Sequence, residues 1–330
     1  MQVYPSIAFL MLLFINLAFI YDIKYMLIQI KPVIYDLIKI HIGRERKWLE
    51  MKKILGIIGS PRRLGNSEIM VKEIGRHIPI PHELKLIRLS EFNIQLCKGC
   101  YRCLFDEKGC PQDDDFYTVL NAIIAADAII VAVPAYFLGP NACLKQFMDR
   151  GLAFYAHAEK LWGKPSVGIG IAGIKGMEGY TLLGIESFLS ILLTDIKQSL
   201  IVYGALPGEV FLNEENLDIA SKLANILFSE AAERTGPRCP LCGGATFRFL
   251  DKDTVRCMLC SNSGNFVTEN GEPSFRIEQS HHEMFLSKDG VLRHGEWLRG
   301  MKNRFIEQKD ALREVTGPYR KEGDWIKPAT

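Results

Sequence analysis

The sequence predicts an α/β fold built on a doubly wound five-stranded parallel sheet, followed by a smaller metal-binding module. Three observations carry this reading. Between Met51 and Arg234, short apolar runs rich in β-branched residues alternate with longer stretches of helical periodicity, the pattern of strands joined by crossover helices. Thr235-Gly236-Pro237 then breaks the alternation ahead of a glycine-rich segment. Eight of the nine cysteines fall into two quartets, a grouping that needs free thiols and so a reducing compartment. With 330 residues, 48% apolar and 24% charged, the chain has room for about two domains of roughly 150 residues and is too apolar to be disordered. Its 40 basic against 38 acidic side chains leave +2, which excludes a surface made as a whole to hold nucleic acid or anionic lipid.

Residues 1–50 precede the expected folded unit. Met1 to Tyr21 carries no charge and Ile7 to Ile20 is almost wholly apolar, about the 20 residues needed to cross a bilayer. Lys24, Lys31, Lys39, Arg44, Arg46 and Lys47 follow and would keep the rest of the chain cytoplasmic. No basic residue precedes the run and no small-x-small site closes it, so export is not expected. Two readings stay open: a membrane anchor in residues 1–21, or an extension ahead of a true start at Met51.

The strands are expected at Ile54–Ile58, Leu84–Leu89, Ala128–Val133, Ser166–Ile171 and Leu200–Tyr203. Helices are expected at Ser67–Arg76, Phe116–Ala126, Asn141–Phe154, Tyr180–Leu193 and Glu214–Arg234. Five of each suit the flavodoxin-like sheet, whose ligand rests at the carboxyl ends of the strands. Beyond Pro237, short strands at Thr246–Leu250 and Asn265–Val267 precede a helix carrying Trp297, Met301, Phe305, Leu312 and Val315, expected to pack on the module before it. The expected domains are 1–50, 51–234, 235–267 and 268–330.

Gly59-Ser60-Pro61-Arg62-Arg63-Leu64-Gly65-Asn66-Ser67 joins the first strand to a helix. A helix start offers unpaired N–H donors and the positive end of the dipole, and Arg62 adds a charge-assisted contact, so this turn is a candidate phosphate site; a simple N-cap is the plain alternative. Gly168-Ile169-Gly170-Ile171-Ala172-Gly173 spells a dinucleotide fingerprint, but its first glycines fall within a strand and no helix opens at Gly173. The match is therefore read as coincidence.

Cys97, Cys100, Cys103 and Cys110 stand at steps of three, three and seven, with Pro111 after the last. Three close thiolates and a more distant Cys-Pro fit a [4Fe-4S] cluster, whose charge Lys98, Arg102 and Lys108 would partly offset; a structural zinc site is the alternative. Cys143 reads as packing on a helix face, and Asp113 and Asp114 read as caps for the helix near Phe116.

Taken with Pro134-Ala135-Tyr136-Phe137 and Leu144-Lys145 through Asp149-Arg150, these motifs resemble the iron-sulfur flavoproteins of archaea and anaerobic bacteria, within the wider NADPH-dependent FMN reductase group. The resemblance covers about residues 51–234. It implies bound FMN, one [4Fe-4S] cluster on the first quartet, a ferredoxin-like electron donor, and homo-oligomers in which cluster and flavin of neighbouring subunits approach each other. By position, Ser60, Arg62, Gly65, Asn66 and Ser67 would hold the FMN phosphate. Pro134, Ala135, Tyr136 and Phe137 would line the isoalloxazine, with Gly173 on its other side. Lys175-Gly176-Met177-Glu178 departs from the more glycine-rich stretch expected there.

Cys239, Cys242, Cys257 and Cys260 form two C-x2-C pairs, a zinc-ribbon signature, with a rubredoxin-like iron centre as the alternative. So short a segment lacks a sufficient core, and metal would supply its folding energy. Ser261 stands where a second knuckle glycine would help an iron site, which favours zinc. Zinc ribbons also bind nucleic acid, but residues 236–330 hold 15 Lys and Arg against 13 Asp and Glu, too balanced for a basic module. His281, His282 and His294 read as surface residues.

The expected function is electron transfer between a one-electron carrier and FMN. Two further readings are a NAD(P)H-dependent FMN or quinone reductase with a structural cysteine site, and a regulator acting through the ribbon. No side chain announces itself as a general acid or base.

Overall fold

The computed structural model describes residues 51–105, 109–230, 236–269 and 271–328. Segment 1–50 lies outside them, and with it the question of an anchor at 1–21; so does Lys108. Among the described residues no helix is long and apolar enough to cross a membrane.

The first half of the domain runs β1 Lys52–Ile58, α1 Asn66–His77, β2 His82–Arg88, α2 Phe116–Ala125, β3 Ala128–Tyr136, β4 Gly139–Pro140 and α3 Ala142–Met148. The second half runs α4 Ala158–Leu161, β5 Pro165–Ala172, α5 Thr181–Ile191, β6 Asp195–Tyr203 and α6 Glu215–Ile226. Strand order is β2-β1-β3-β5-β6, all parallel, with the short β4 returning antiparallel on β3. This is the flavodoxin-like doubly wound sheet.

Alternation along the strands sorts the core into two layers. Leu55 and Ile57 of β1 and Ile129, Val131 and Val133 of β3 face α2, α3 and α5 with Phe116, Phe147, Phe154 and Phe188. Ile54, Ile58, Ala128, Ile130 and Ala132 face α1 and α6 with Met70, Ile74 and Leu223. The fingerprint-like glycines have a packing cause: a Cβ at Gly168 would meet Ile185 Cγ2 at 2.4 Å, and one at Gly170 would meet Ile201 Cδ1 at 2.4 Å.

Several boundaries differ from expectation. β6 starts at Asp195, five residues before the expected Leu200, because its first residues are half-buried and polar on a sheet edge, a strand without an apolar run. The helix expected over Asn141–Phe154 stops at Met148, and Gly151–His157 continues as 3-10 turns. The last helix of the domain ends at Ile226.

The second sheet comprises β7 Phe247–Phe249, β8 Thr254–Cys257, β9 Ser263–Glu269 and β10 Glu272–Ile277, antiparallel in the order β10-β9-β8-β7. The expected boundary at 267 falls inside β9, since Ile277 of β10 still pairs with Gly264. Then come α7 Lys288–Glu307, capped by Ser287, and α8 Lys309–Thr316.

The face of α7 that packs is set one position away from the expected stripe. Val291, His294 and Leu298 are buried, whereas Trp297 and Phe305 are 46% and 57% exposed. The partner differs too. Val291 joins the core of the large domain, Arg299 Nε donates to Leu104 O (3.3 Å) and Lys288 pairs with Glu159, so the helix rests on the flavodoxin-like layer.

Candidate functional site

A cleft of about 210 Å³ opens at the carboxyl ends of β1, β3, β5 and β6. Ser60, Arg62, Gly65, Asn66, Ser67, Pro134, Ala135, Tyr136 and Gly173 line it, together with Ile171, Gly204, Ala205 and Pro207 from strand ends outside the expected set. No carboxylate is among these lining residues, and α1 presents its first-turn N–H groups there, a donor set that fits a phosphate.

Two expected ligands behave differently in the structure. Asn66 donates from Nδ2 to Gly204 O (2.9 Å) and accepts at Oδ1 from Gly208 N (2.9 Å), so its side chain ties the loop after β6 instead of facing a ligand. Phe137 does not line the cleft; it and Leu138 sit at positive φ (49° and 65°), and the Phe137 ring is fully exposed. Consecutive non-glycine residues in the left-handed region store strain of the kind found at functional loops.

The turn after β1 is held from beneath. Arg88 Nη1 donates to Ser60 O (2.9 Å) and Arg62 O (2.8 Å), while its Nη2 meets Glu68 Oε2 at 2.6 Å. Glu68 also accepts from Leu64 N and Lys72 Nζ. Burial pulls the Glu68 pKa upward, but these hydrogen bonds overcome it and bring the group to about 2, from 4.5. A depressed carboxylate contributes stability above its unfolded pKa and loses it as pH falls towards the folded value, here from 4.5 to about 2. Glu68→Gln is therefore expected to cost roughly 3 kcal/mol at neutral pH and to flatten the acid limb of the stability profile, as measured by urea unfolding at stepped pH. An acid limb as steep as that of the parent would overturn this.

Cys143 lies beneath the same turn, its Sγ 3.5 Å from Gly59 O, and burial pushes its thiol up to about 11, which suits packing.

The first quartet surrounds a second concavity, lined by all four cysteines with Lys98, Tyr101, Gln112, Arg150 and Leu152. The loop needs left-handed turns at Gly99 (φ 60°) and Tyr101 (φ 59°) to bring them round. Cys110 N donates to Tyr117 Oη (2.7 Å), and Cys110 Sγ accepts from Arg150 Nη2 (3.2 Å). Burial, then the charges of Cys110, Cys100 and Cys97, push the Cys103 thiol up to about 11, so the sulfurs sense one another.

Asp114 does more than cap. Its Oδ1 accepts from Phe116 N (3.1 Å), Oδ2 accepts from Gln95 N (2.8 Å), and it pairs with Arg150 at 2.6 Å with both side chains almost wholly buried. Burial raises its pKa, but the hydrogen bonds, that from Arg150 foremost, outweigh this and hold the carboxyl below its ordinary value. Asp113 supplies its carbonyl to Gln95 Nε2, and Asp115 takes the N-cap position.

The second quartet converges on one point. Among the described residues it is the group of thiols close enough to share one ion, its sulfurs all within 4.8 Å. Cys239 to Cys260 is 3.8 Å and Cys242 to Cys257 is 3.5 Å; a tetrahedron with metal–sulfur bonds of about 2.3 Å has edges of about 3.8 Å. The thiols of the first quartet are not grouped closely enough to share one ion, and four thiols around one concavity are a donor set that fits an iron-sulfur cluster.

Cys239 and Cys257 are buried with Val255, Leu259 and Ile277, which places the quartet in the core of its sheet. Ser261 sits at φ 60°, where a Cβ is strained. Ser261→Gly is expected to raise the stability of the module by about 1 kcal/mol, read as slower amide exchange in β8 and β9; unchanged exchange would refute it. His294 is buried against His282, Nδ1 to Nε2 at 2.9 Å, a contact apart from both quartets.

The two ends of the large sheet differ. The cleft lies at the carboxyl ends, whereas Leu241 and Cys242 border a groove with Gly163, Asp195 and Ile196, at the amino ends of β5 and β6.

Residues 52–183 match the family of NADPH-dependent FMN reductases. An iron-sulfur flavoprotein of Archaeoglobus fulgidus is 31% identical over 179 residues, 52% of this chain and 77% of its own length. An iron-sulfur flavoprotein of Methanocaldococcus jannaschii is 34% identical over 143 residues, 42% of this chain and 72% of its own. Among solved structures, a flavone reductase superposes with a TM-score of 0.63 at 19% identity, covering 84% of this chain and all of that one; the likeness of fold therefore extends past the doubly wound domain. With its sheet order, its strand-end cleft and its cysteine loop in place, this chain belongs to the iron-sulfur flavoprotein family, within the FMN reductase group.

Proposed function

We propose that this oxidoreductase passes electrons between a one-electron carrier, ferredoxin-like in character, and an FMN seated in the strand-end cleft, by way of a [4Fe-4S] cluster on Cys97, Cys100, Cys103 and Cys110. The observation that carries the reading is the coexistence, in one compact unit, of an acid-free, helix-capped cleft and a separate ring of four cysteines beside a buried cation. Flavin stores two electrons and releases them singly, while an iron-sulfur cluster handles one at a time, so together they connect the two kinds of chemistry.

The chain's own residues supply placement. The hydroxyl of Ser60, the guanidinium of Arg62 and the first-turn N–H groups of α1 would hold the phosphate. Pro134, Ala135 and Tyr136 would wall one side of the ring system and Gly173 the other. Asn66 and Arg88 keep the surrounding loops from drifting.

In the second quartet we assign zinc. The sulfur spacing suits a single tetrahedral ion, and the site borders the strand ends remote from the cleft, where a redox-inactive structural metal suffices.

The test is the content of anaerobically purified protein: about four iron, four sulfide, one zinc and one FMN per chain are expected. Reduction of the flavin should then be faster with a reduced ferredoxin than with NAD(P)H. Flavin without sulfide would overturn the cluster, and iron in place of zinc would overturn the second assignment. Rapid reduction by NAD(P)H in iron-free protein would favour the reductase reading.

A further inference from the structure

We propose that Arg150 sets the reduction potential of the cluster on the cysteine loop, raising it through a charged hydrogen bond to the sulfur of Cys110. This rests on the cluster assignment above and extends it to a residue outside the cysteine motif.

Arg150 is 2% exposed. Each of its nitrogens has a distinct surrounding. Nη2 reaches Cys110 Sγ at 3.2 Å; Nη1 reaches Asp114 Oδ2 at 2.6 Å and Gln95 O at 3.0 Å. Nε is buried and finds no partner among the described residues, and the guanidinium lies 4.4 Å above the Phe116 ring. Phe116 itself is wholly buried among Phe147 and Phe154. Nη2 also donates to Asp114 Oδ1 at 3.4 Å, so the fork is clamped by both oxygens of a carboxylate, a carbonyl and an aromatic face, with Nη2 shared between that carboxylate and the sulfur of Cys110.

A cluster gains one negative charge when it takes an electron, with no bond made or broken. A donor that withdraws density from a thiolate favours the reduced state, and a cation in a poorly screened site acts far more strongly than one in water. Lys98 and Arg102 are on the same loop but exposed, so solvent screens them. Asp114 opposes the effect by its charge while fixing the guanidinium in place.

The two partners therefore predict shifts of opposite sign. Asp114→Asn leaves the cation less compensated and should raise the midpoint; Arg150→Gln leaves the carboxylate uncompensated and should lower it. Arg150→Lys keeps the charge, loses the fork, and should fall between parent and Arg150→Gln.

The experiment is an anaerobic redox titration of the full-length holoprotein with dithionite as the electron source, following the EPR signal of the reduced cluster. Arg150→Gln is expected to lower the reduced-to-oxidised ratio at a fixed potential at least tenfold, which is 59 mV for one electron. A purely structural role would move both variants the same way or not at all. If Arg150→Gln fails to assemble, Asp114→Asn, Arg150→Lys and the charge-neutral Asp114→Asn/Arg150→Gln double variant carry the test. Potentials all within threefold in that ratio, with full iron and sulfide, would overturn the role of Arg150 and leave the cluster assignment standing; loss of the cluster from every variant would make Arg150 an assembly residue and equally overturn it. A parent protein lacking sulfide would instead overturn the cluster assignment itself.

Discussion

Replacing Cys100 by Ala is expected to strip nearly all the iron and sulfide from the purified protein, from about four of each per chain, while flavin and fold are retained. Cys100 is exposed and belongs to no buried cluster of the core, so its removal opens no cavity. The cleft draws its residues from the ends of β1, β3, β5 and β6, and the cysteine loop contributes none of them. Iron and sulfide assays against the flavin absorbance decide the matter, with the thermal midpoint as a check on folding. Undiminished iron and sulfide would show that Cys100 is no ligand. Reduction of the flavin by a one-electron carrier should disappear in the same variant, whereas any direct reduction by NAD(P)H should survive.

The other large effect is expected at the second quartet. Cys257→Ala removes one of the four thiols proposed to hold zinc, a side chain wholly buried at the centre of its sheet. Structural zinc supplies on the order of 10 kcal/mol of folding free energy in small four-ligand modules, so β7 to β10 should unfold as a unit. Limited proteolysis should then cut within 236–277, and native mass spectrometry should find one zinc fewer. The large domain should keep its flavin, because its layers bury their own apolar faces independently of that sheet. A resistant, zinc-loaded Cys257→Ala protein would overturn the assignment of this ligand.

How much of this was legible beforehand depended on where the information lay. β1, β3 and β5 are buried on both faces, so each reads as an uninterrupted apolar run. β6 is an edge strand with Asp195, Lys197 and Gln198 at its start, and a half-solvated edge leaves no such run. β10 was missed although Asn270-Gly271 is a hairpin signal in the sequence. The loops after β1, β3 and β5 were legible as cleft walls from motif and position. The loop Gly204 to Pro207 carries no polar side chain to mark it, and only the rule that ligands gather at carboxyl strand ends would have pointed there.

Arg150 was visible only as part of a familiar Asp-Arg pair. Its contact with Cys110 spans 40 positions and that with Asp114 spans 36, so folding alone reveals them. Asn66 shows the converse: the sequence names a residue of the right chemistry, and tertiary contacts then spend both of its polar atoms on a neighbouring loop.

The two quartets also answer differently to air. The thiols at Cys97 and Cys100 are open to solvent, whereas Cys239 and Cys257 are closed in. Oxygen should thus bleach the proposed cluster, whereas zinc in the second quartet would keep its oxidation state and its thiols are shielded. The aged protein would then be a yellow, folded remnant stripped of its one-electron traffic, easily mistaken for a simple flavin enzyme by anyone who purified it on an open bench.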